Sequence, residues 1–130
     1  RIDTIETAVT WHQLLNLWEK TRAYIKSFPN HTCMVHISHA YETGANLYFI
    51  FICPMDEKNE IQSFEKFHKG LIDTIHANGG SLSHHHGIGR LLSPWVEKEL
   101  GEEGLRILTG LKKIFDPKGI MNPKGLLGIK

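Results

Sequence analysis

A chain of 130 residues, 41% hydrophobic and 22% charged, is long enough for one domain with a real core. Its formal net charge of +1 argues against a nucleic-acid partner, and no apolar run approaches the roughly 20 residues of a membrane span. Nine histidines are many for this length and would charge the protein below pH ~6.5.

The opening Arg1-Ile2-Asp3-Thr4 has neither an initiator Met nor a signal-peptide profile, so the expectation is a piece of a longer protein, cytoplasmic, with membrane association allowed. Spacings near three and four among Trp11, Leu14, Leu15, Trp18, Ile25 and Phe28 predict a helix over 8–28, ended by Pro29-Asn30. Two β-like runs follow, 32–42 and 46–53, joined by Thr43-Gly44-Ala45 as a hairpin. Strict alternation puts Cys33, Val35, Ile37, His39 and Tyr41 on one face of the first strand, with Met34, His36, Ser38 and Ala40 opposite. The second strand is apolar on both faces, so one packs on this chain's helices and the other on something else. Cys33 and Cys53 are read as buried free thiols of a reducing compartment, with a cross-strand disulfide as the alternative.

Pro54-Met55-Asp56 closes the strand, and Ile61, Phe64, His68, Leu71, Ile72 and Ile75 mark an amphipathic helix over 58–77. Asn78-Gly79-Gly80 stops it, and a short strand at 81–83 leads on. Ser93-Pro94 starts further helix, broken near Gly101 and Gly104, with Leu105, Leu108, Leu111, Ile114 and Phe115 on its buried side. The Pro-, Gly- and Lys-rich stretch 116–130 reads as an ordered loop or extended arm. The order of elements gives an α+β class, an antiparallel sheet with helices packed on one face.

The segment Ser83-His84-His85-His86-Gly87-Ile88-Gly89-Arg90 concentrates proton-transfer and anion-binding groups. On an extended backbone His84 and His86 share a side. They are a catalytic cluster, two ligands of a metal completed by His36 or His39, or a solvated histidine cluster. Tyr41 beside His39 is a second candidate, since a phenol can shuttle protons, although a Tyr at a hairpin is also a packing residue. Gly87-Ile88-Gly89 alone is not a nucleotide motif.

The run Ser81-Leu82-Ser83-His84-His85-His86-Gly87-Ile88-Gly89-Arg90 resembles the histidine motif of the alkyldihydroxyacetonephosphate synthases, flavoproteins of the vanillyl-alcohol-oxidase type. Glu6-Thr7 with Trp11, Tyr41-Glu42-Thr43-Gly44-Ala45 with Leu47-Tyr48-Phe49, and Ala77-Asn78-Gly79-Gly80 resemble the same family in the same order. The resemblance implies a ferredoxin-like cap portion at 1–115 and an arm at 116–130 that returns to the protein's own N-terminal FAD-binding domain. It implies FAD as cofactor and exchange of an acyl group for a fatty alcohol on dihydroxyacetone phosphate, without net redox change. Tyr41 would be the acid–base residue, with His84, His85 and His86 also catalytic. Arg90 and His39 would bind a small or lipid substrate through its phosphate or carboxylate, and a homodimer is allowed. The stretch from Phe115 to Gly125 is more similar to flavin-linked 2-hydroxyacid dehydrogenases of the lactate and glycolate type, and Asn122 in it is the cofactor-binding candidate. That makes such a dehydrogenase the second reading, and a stand-alone metal- or ligand-binding module the third.

Overall fold

The computed structural model describes residues 1–128. Its elements are β1 (Ile2–Thr10), α1 (Trp11–Lys26), β2 (Thr32–Ala40), β3 (Gly44–Ile52), α2 (Glu60–Ala77) and α3 (Val96–Phe115), the last preceded by a 3-10 turn at Ser93–Trp95. The chain divides into two compact units, Arg1–His85 and His86–Lys130.

The first unit is α+β, with an antiparallel sheet in the order β1-β3-β2. β1 is an addition to the expected architecture, where the helix was to start at residue 8. Its run of Ile, Thr and Val favours a pleated strand, and the helix begins at Trp11. Ile5, Val9, Leu47, Phe49 and Phe51 are buried on one face of the sheet, and α1 and α2 cover them with Leu17, Ile25, Phe67, Leu71 and Ile72. A ring contact of 5.4 Å between Phe51 and Phe67 joins sheet to helix. Leu17 takes the core place assigned to Leu15, which is exposed, and Ile61 likewise lies outside. Gly44 is a requirement of close approach: a Cβ there would lie 2.1 Å from the Val9 carbonyl oxygen.

The other face carries Glu6 and Thr4 of β1, Tyr48 and Ile50 of β3, and Met34 and His36 of β2. Ile2, Met34 and Ile52 are exposed there, as a strand apolar on both faces demands. A bulge between Ile37 and His39 changes the expected alternation. Beyond it His39 pairs with Asn46, so His39 leaves the face of Val35 and Ile37. Both cysteines are free, Cys53 buried and Cys33 half-buried. Burial pushes the Cys53 thiol up to about 11.

In the second unit α3 bends at Gly101, whose φ is 71°. Leu111, Ile114 and Phe115 were expected on a buried side and are instead exposed. The tail is ordered around Asp116, whose carboxylate accepts from Lys112 Nζ and from the backbone N–H groups of Ile120 at 3.0 Å and Met121 at 2.9 Å. The Lys112 hydrogen bond holds that carboxyl below its usual range, with the backbone donors adding to it against the effect of desolvation. Ile129 and Lys130 lie outside the described residues.

Candidate active site

The chain leaving α2 must cross close to β1 before it reaches the histidines. Gly80 permits this, since a Cβ there would come 2.5 Å from Thr7 Oγ1 and 2.7 Å from Ile75. The next residue is then tied to β1: Ser81 N–H donates to the Ala8 carbonyl at 3.0 Å, and Ala8 N–H to Ser81 Oγ at 2.9 Å. These ties replace the short strand expected at 81–83, which is not formed. They deliver the backbone of His84 and His85 to the side chain of Glu6.

Glu6 is 2% exposed, and a carboxylate so placed is costly unless its oxygens are answered. They are answered well. His84 N–H donates to Oε1 at 3.1 Å, and His85 N–H donates to the same oxygen. Asn46 Nδ2 donates to Oε2 at 3.1 Å, and His85 Nδ1 lies 2.6 Å from Oε2. Charge-assisted bonds of this kind are the strong ones.

Two chains of contacts lead outward from this anion. One runs from His85 Nδ1 to His84 Nδ1 at 2.9 Å, and from His84 Nε2 to Tyr41 Oη at 2.8 Å. The other runs through Asn46, whose Nδ2 also donates to Ser38 Oγ at 2.7 Å, and from Ser38 to His39 Nδ1 at 3.0 Å. His39 lies against both histidines, with ring centroids 5.2 Å from His84 and 5.3 Å from His85. Asn46 Oδ1, like Thr21 Oγ1 under the sheet, is buried with no hydrogen-bond partner among the described residues, a cost of about 1–3 kcal/mol.

Tyr41 directly follows β2, and its turn is clamped by Trp11 Nε1, which donates to the Tyr41 and Glu42 carbonyls at 3.0 and 3.1 Å. The phenol is thus fixed at its backbone and half exposed at its ring. The result is a polar cluster whose acid–base groups Tyr41, His39 and His85 are exposed, with a buried charge behind them.

Of the residues singled out from sequence, the structure brings Tyr41, His39, His84 and His85 together. The backbone bends through 84–86 where an extended run was expected, and His84 adjoins His85. Ring nitrogens of His39, His84 and His85 lie within 4.8 Å of one another, near enough to share an ion. Both nitrogens of His84 and Nδ1 of His85 are already engaged, which favours a hydrogen-bonded relay. His36, the other proposed ligand, stacks on Tyr48 at 5.1 Å.

His86, Arg90 and Asn122 belong to the second unit. His86 and Arg90 are exposed, and the loop between them is tied to the tail by Leu126 N–H donating to the Gly89 carbonyl at 2.8 Å. Asn122 and Lys112 line a groove whose other side chains are the apolar Leu108, Leu111, Phe115, Leu126 and Leu127. Glu6, Asn46 and Ser38 were missed as functional residues. The β-branched run of β1 was the available signal for Glu6, because it would have placed that residue on the open sheet face.

Residues 1–126 match the family described as FAD linked oxidases, C-terminal domain. An alkyldihydroxyacetonephosphate synthase of Dictyostelium discoideum is 36% identical over 132 aligned positions, covering 97% of this chain and 21% of that protein. One of Trypanosoma brucei brucei is 35% identical, covering 96% of this chain and 21% of that protein. A solved structure of an alkyldihydroxyacetonephosphate synthase superimposes with a TM-score of 0.62 at 30% identity, covering 95% of this chain and 20% of that one. The chain therefore spans about a fifth of the length of the curated relatives it matches. Sequence and fold agree with the resemblance read from the triple histidine and the Tyr41 hairpin, and the chain belongs to the FAD-linked oxidase C-terminal domain family.

Proposed function

We propose that this chain is the substrate-facing portion of an FAD-dependent alkyldihydroxyacetonephosphate synthase, which exchanges an acyl group for an alkyl group on dihydroxyacetone phosphate. The contact of 2.8 Å between Tyr41 Oη and His84 Nε2 carries the reading. It joins the two most distinctive parts of the sequence into one acid–base pair. The exchange releases a carboxylate and forms an ether, so the incoming alcohol must lose a proton. Tyr41 gives its proton to the departing carboxylate and its phenolate then takes the proton of the alcohol, with His84 behind it.

The open sheet face fits a flat conjugated ring, with the His36–Tyr48 stack, Met34 and Ile52 beside the Tyr41 cluster. Bound FAD would supply the electron-accepting centre at which the substrate is activated. In this reading His39 and Arg90 bind the substrate, Arg90 through its fixed charge on phosphate. The exposed Ile114 and Phe115 of α3, with the tail over 116–130, pack on the protein's own FAD-binding domain, where Asn122 meets the cofactor. The chain by itself lacks turnover, and the complete protein acts in the cytoplasm as a monomer or homodimer. No helix among the described residues is long and apolar enough to cross a membrane.

The test is the complete, FAD-loaded protein with acyl-dihydroxyacetone phosphate and a labelled fatty alcohol. Label should enter an ether product without flavin reduction, and Tyr41→Phe should slow this by about 10²–10⁴-fold. Flavin reduction by a 2-hydroxyacid with no ether formed would make it a dehydrogenase and overturn the proposal.

A further inference from the structure

The relay behind Tyr41 has a direction, and Glu6 sets it. The Glu6 carboxylate can only accept, and its Oε2 lies 2.6 Å from His85 Nδ1, so that nitrogen carries a proton. His84 Nδ1 stands 2.9 Å from the same nitrogen. Two N–H groups cannot face each other at that distance, and the proton on His85 Nδ1 is held by Glu6, which leaves His84 Nδ1 bare. A neutral imidazole with a bare Nδ1 bears its proton on Nε2. That proton points at Tyr41 Oη, 2.8 Å away. Tyr41 therefore accepts from behind, and its own hydroxyl proton is left for whatever stands in front.

We propose that Glu6 is the positioning residue of this site: through His85 and His84 it fixes the tautomers that make Tyr41 a proton donor toward substrate and stabilise its phenolate afterwards. The inference rests on the function proposed above. Its ground is the burial of a charge that the fold does not need. Thr4 and Ala8, the neighbours of Glu6 on the same face of β1, are uncharged, and a buried ion adds little stability over an apolar residue of like volume. Yet Glu6 is met by two backbone N–H groups, Asn46 and a histidine ring. Within the first unit, the titratable groups facing this chain of contacts are Glu6 on β1, His39 at the end of β2, Tyr41 just after it, and His84 and His85 on the loop.

Glu6→Gln in the complete FAD-loaded protein keeps a carbonyl oxygen for the backbone donors but sets an amide N–H against His85. The tautomers then reverse, and Tyr41 must donate backward to His84. The expected result is a loss in kcat of about 10²-fold or more with KM within about twofold, as for other anions that orient a catalytic imidazole. Groups acting as one unit are not additive, so Glu6→Gln combined with Tyr41→Phe should be no slower than Tyr41→Phe alone. FAD content and thermal midpoint report folding. If Glu6→Gln loses FAD, His85→Phe at the half-exposed ring cuts the same relay and should show the same kcat loss and the same non-additivity. Wild-type kcat in whichever variant is folded, or losses that multiply with Tyr41→Phe, would overturn the role of Glu6. Full activity in Tyr41→Phe, or no exchange by the wild type, would instead overturn the function on which it rests.

Discussion

In the first unit, Arg1–His85, a buried carboxylate is held by polar side chains and backbone, whereas in the second, His86–Lys130, the helix α3 ends in exposed apolar side chains. Glu6 at 2% exposure is held by backbone, amide and imidazole donors, while Phe115 is 82% exposed and Ile114 72%. The first arrangement is complete in itself, since a three-stranded sheet under two helices has its own core and can hold a charge rigidly. The second is a helix with an apolar edge and a tail tied through Asp116, a surface shaped for burial elsewhere. On the proposed function, Tyr41 and its relay stand on the first unit, and α3 supplies a surface for attachment.

The largest effect on this contrast should come from Phe49→Ala. Phe49 is fully buried between sheet and helices, and its removal should cost about 3–5 kcal/mol. Hydrogen exchange in the complete protein would read it as faster opening of β3. Phe115→Ala tests the other side of the comparison. If α3 packs on the FAD-binding domain, exchange across α3 rises and FAD is held less tightly. Unchanged exchange would make that edge a free surface and remove the reason for separating the two units by task.

How far the sequence reached follows the same division. The hairpin and α2 are legible because alternation and the three-four spacing are local patterns, written in Leu47, Phe49 and Phe51 and in Phe64, Leu71 and Ile75. The face of His39 was not legible, since an alternating pattern is silent about an inserted residue such as Ser38. Tyr41 and His84 are 43 residues apart; the resemblance made both catalytic, but their contact shows only in the fold. Glu6 escaped because a lone acidic residue in a strand looks like a solvated one until the fold closes over it. The apolar stripe of α3 was visible, but a stripe says only that something covers it.

His68 sharpens the contrast from the other direction, being a polar residue of the first unit that is buried against Phe64, with ring centroids 5.4 Å apart. Burial lowers its imidazole below 6.5, with Asp3 opposing and Arg1 assisting. The unfolded chain then binds a proton before the folded one does. The stability that neutral His68 allows is complete above pH 6.5 and falls as the pH drops below it. In the wild type this one ring can raise the opening constant of α2 by at most about tenfold for each pH step of one downward. His68→Leu should flatten that rise between about pH 7.5 and 5.5, read by hydrogen exchange across α2. Equal acid sensitivity in the variant and the wild type would mean that the ring titrates without penalty, and burial of His68 would then cost the first unit nothing.

The smallest expected effect separates the two chains of contacts that leave Glu6. Ser38 Oγ accepts from Asn46, which frees its hydroxyl proton for His39 Nδ1 and leaves His39 presenting Nε2–H. Ser38→Ala removes that orientation and touches neither His85, His84 nor Tyr41. One neutral hydrogen bond is worth about 0.5–1.5 kcal/mol, so KM for the phosphate-bearing substrate should rise by about twofold to tenfold. With the Tyr41 chain intact, kcat should stay within about twofold of wild type. A fall in kcat matching that of Glu6→Gln would join His39 to the proton relay, and the buried carboxylate would then be governing one network where the geometry draws two.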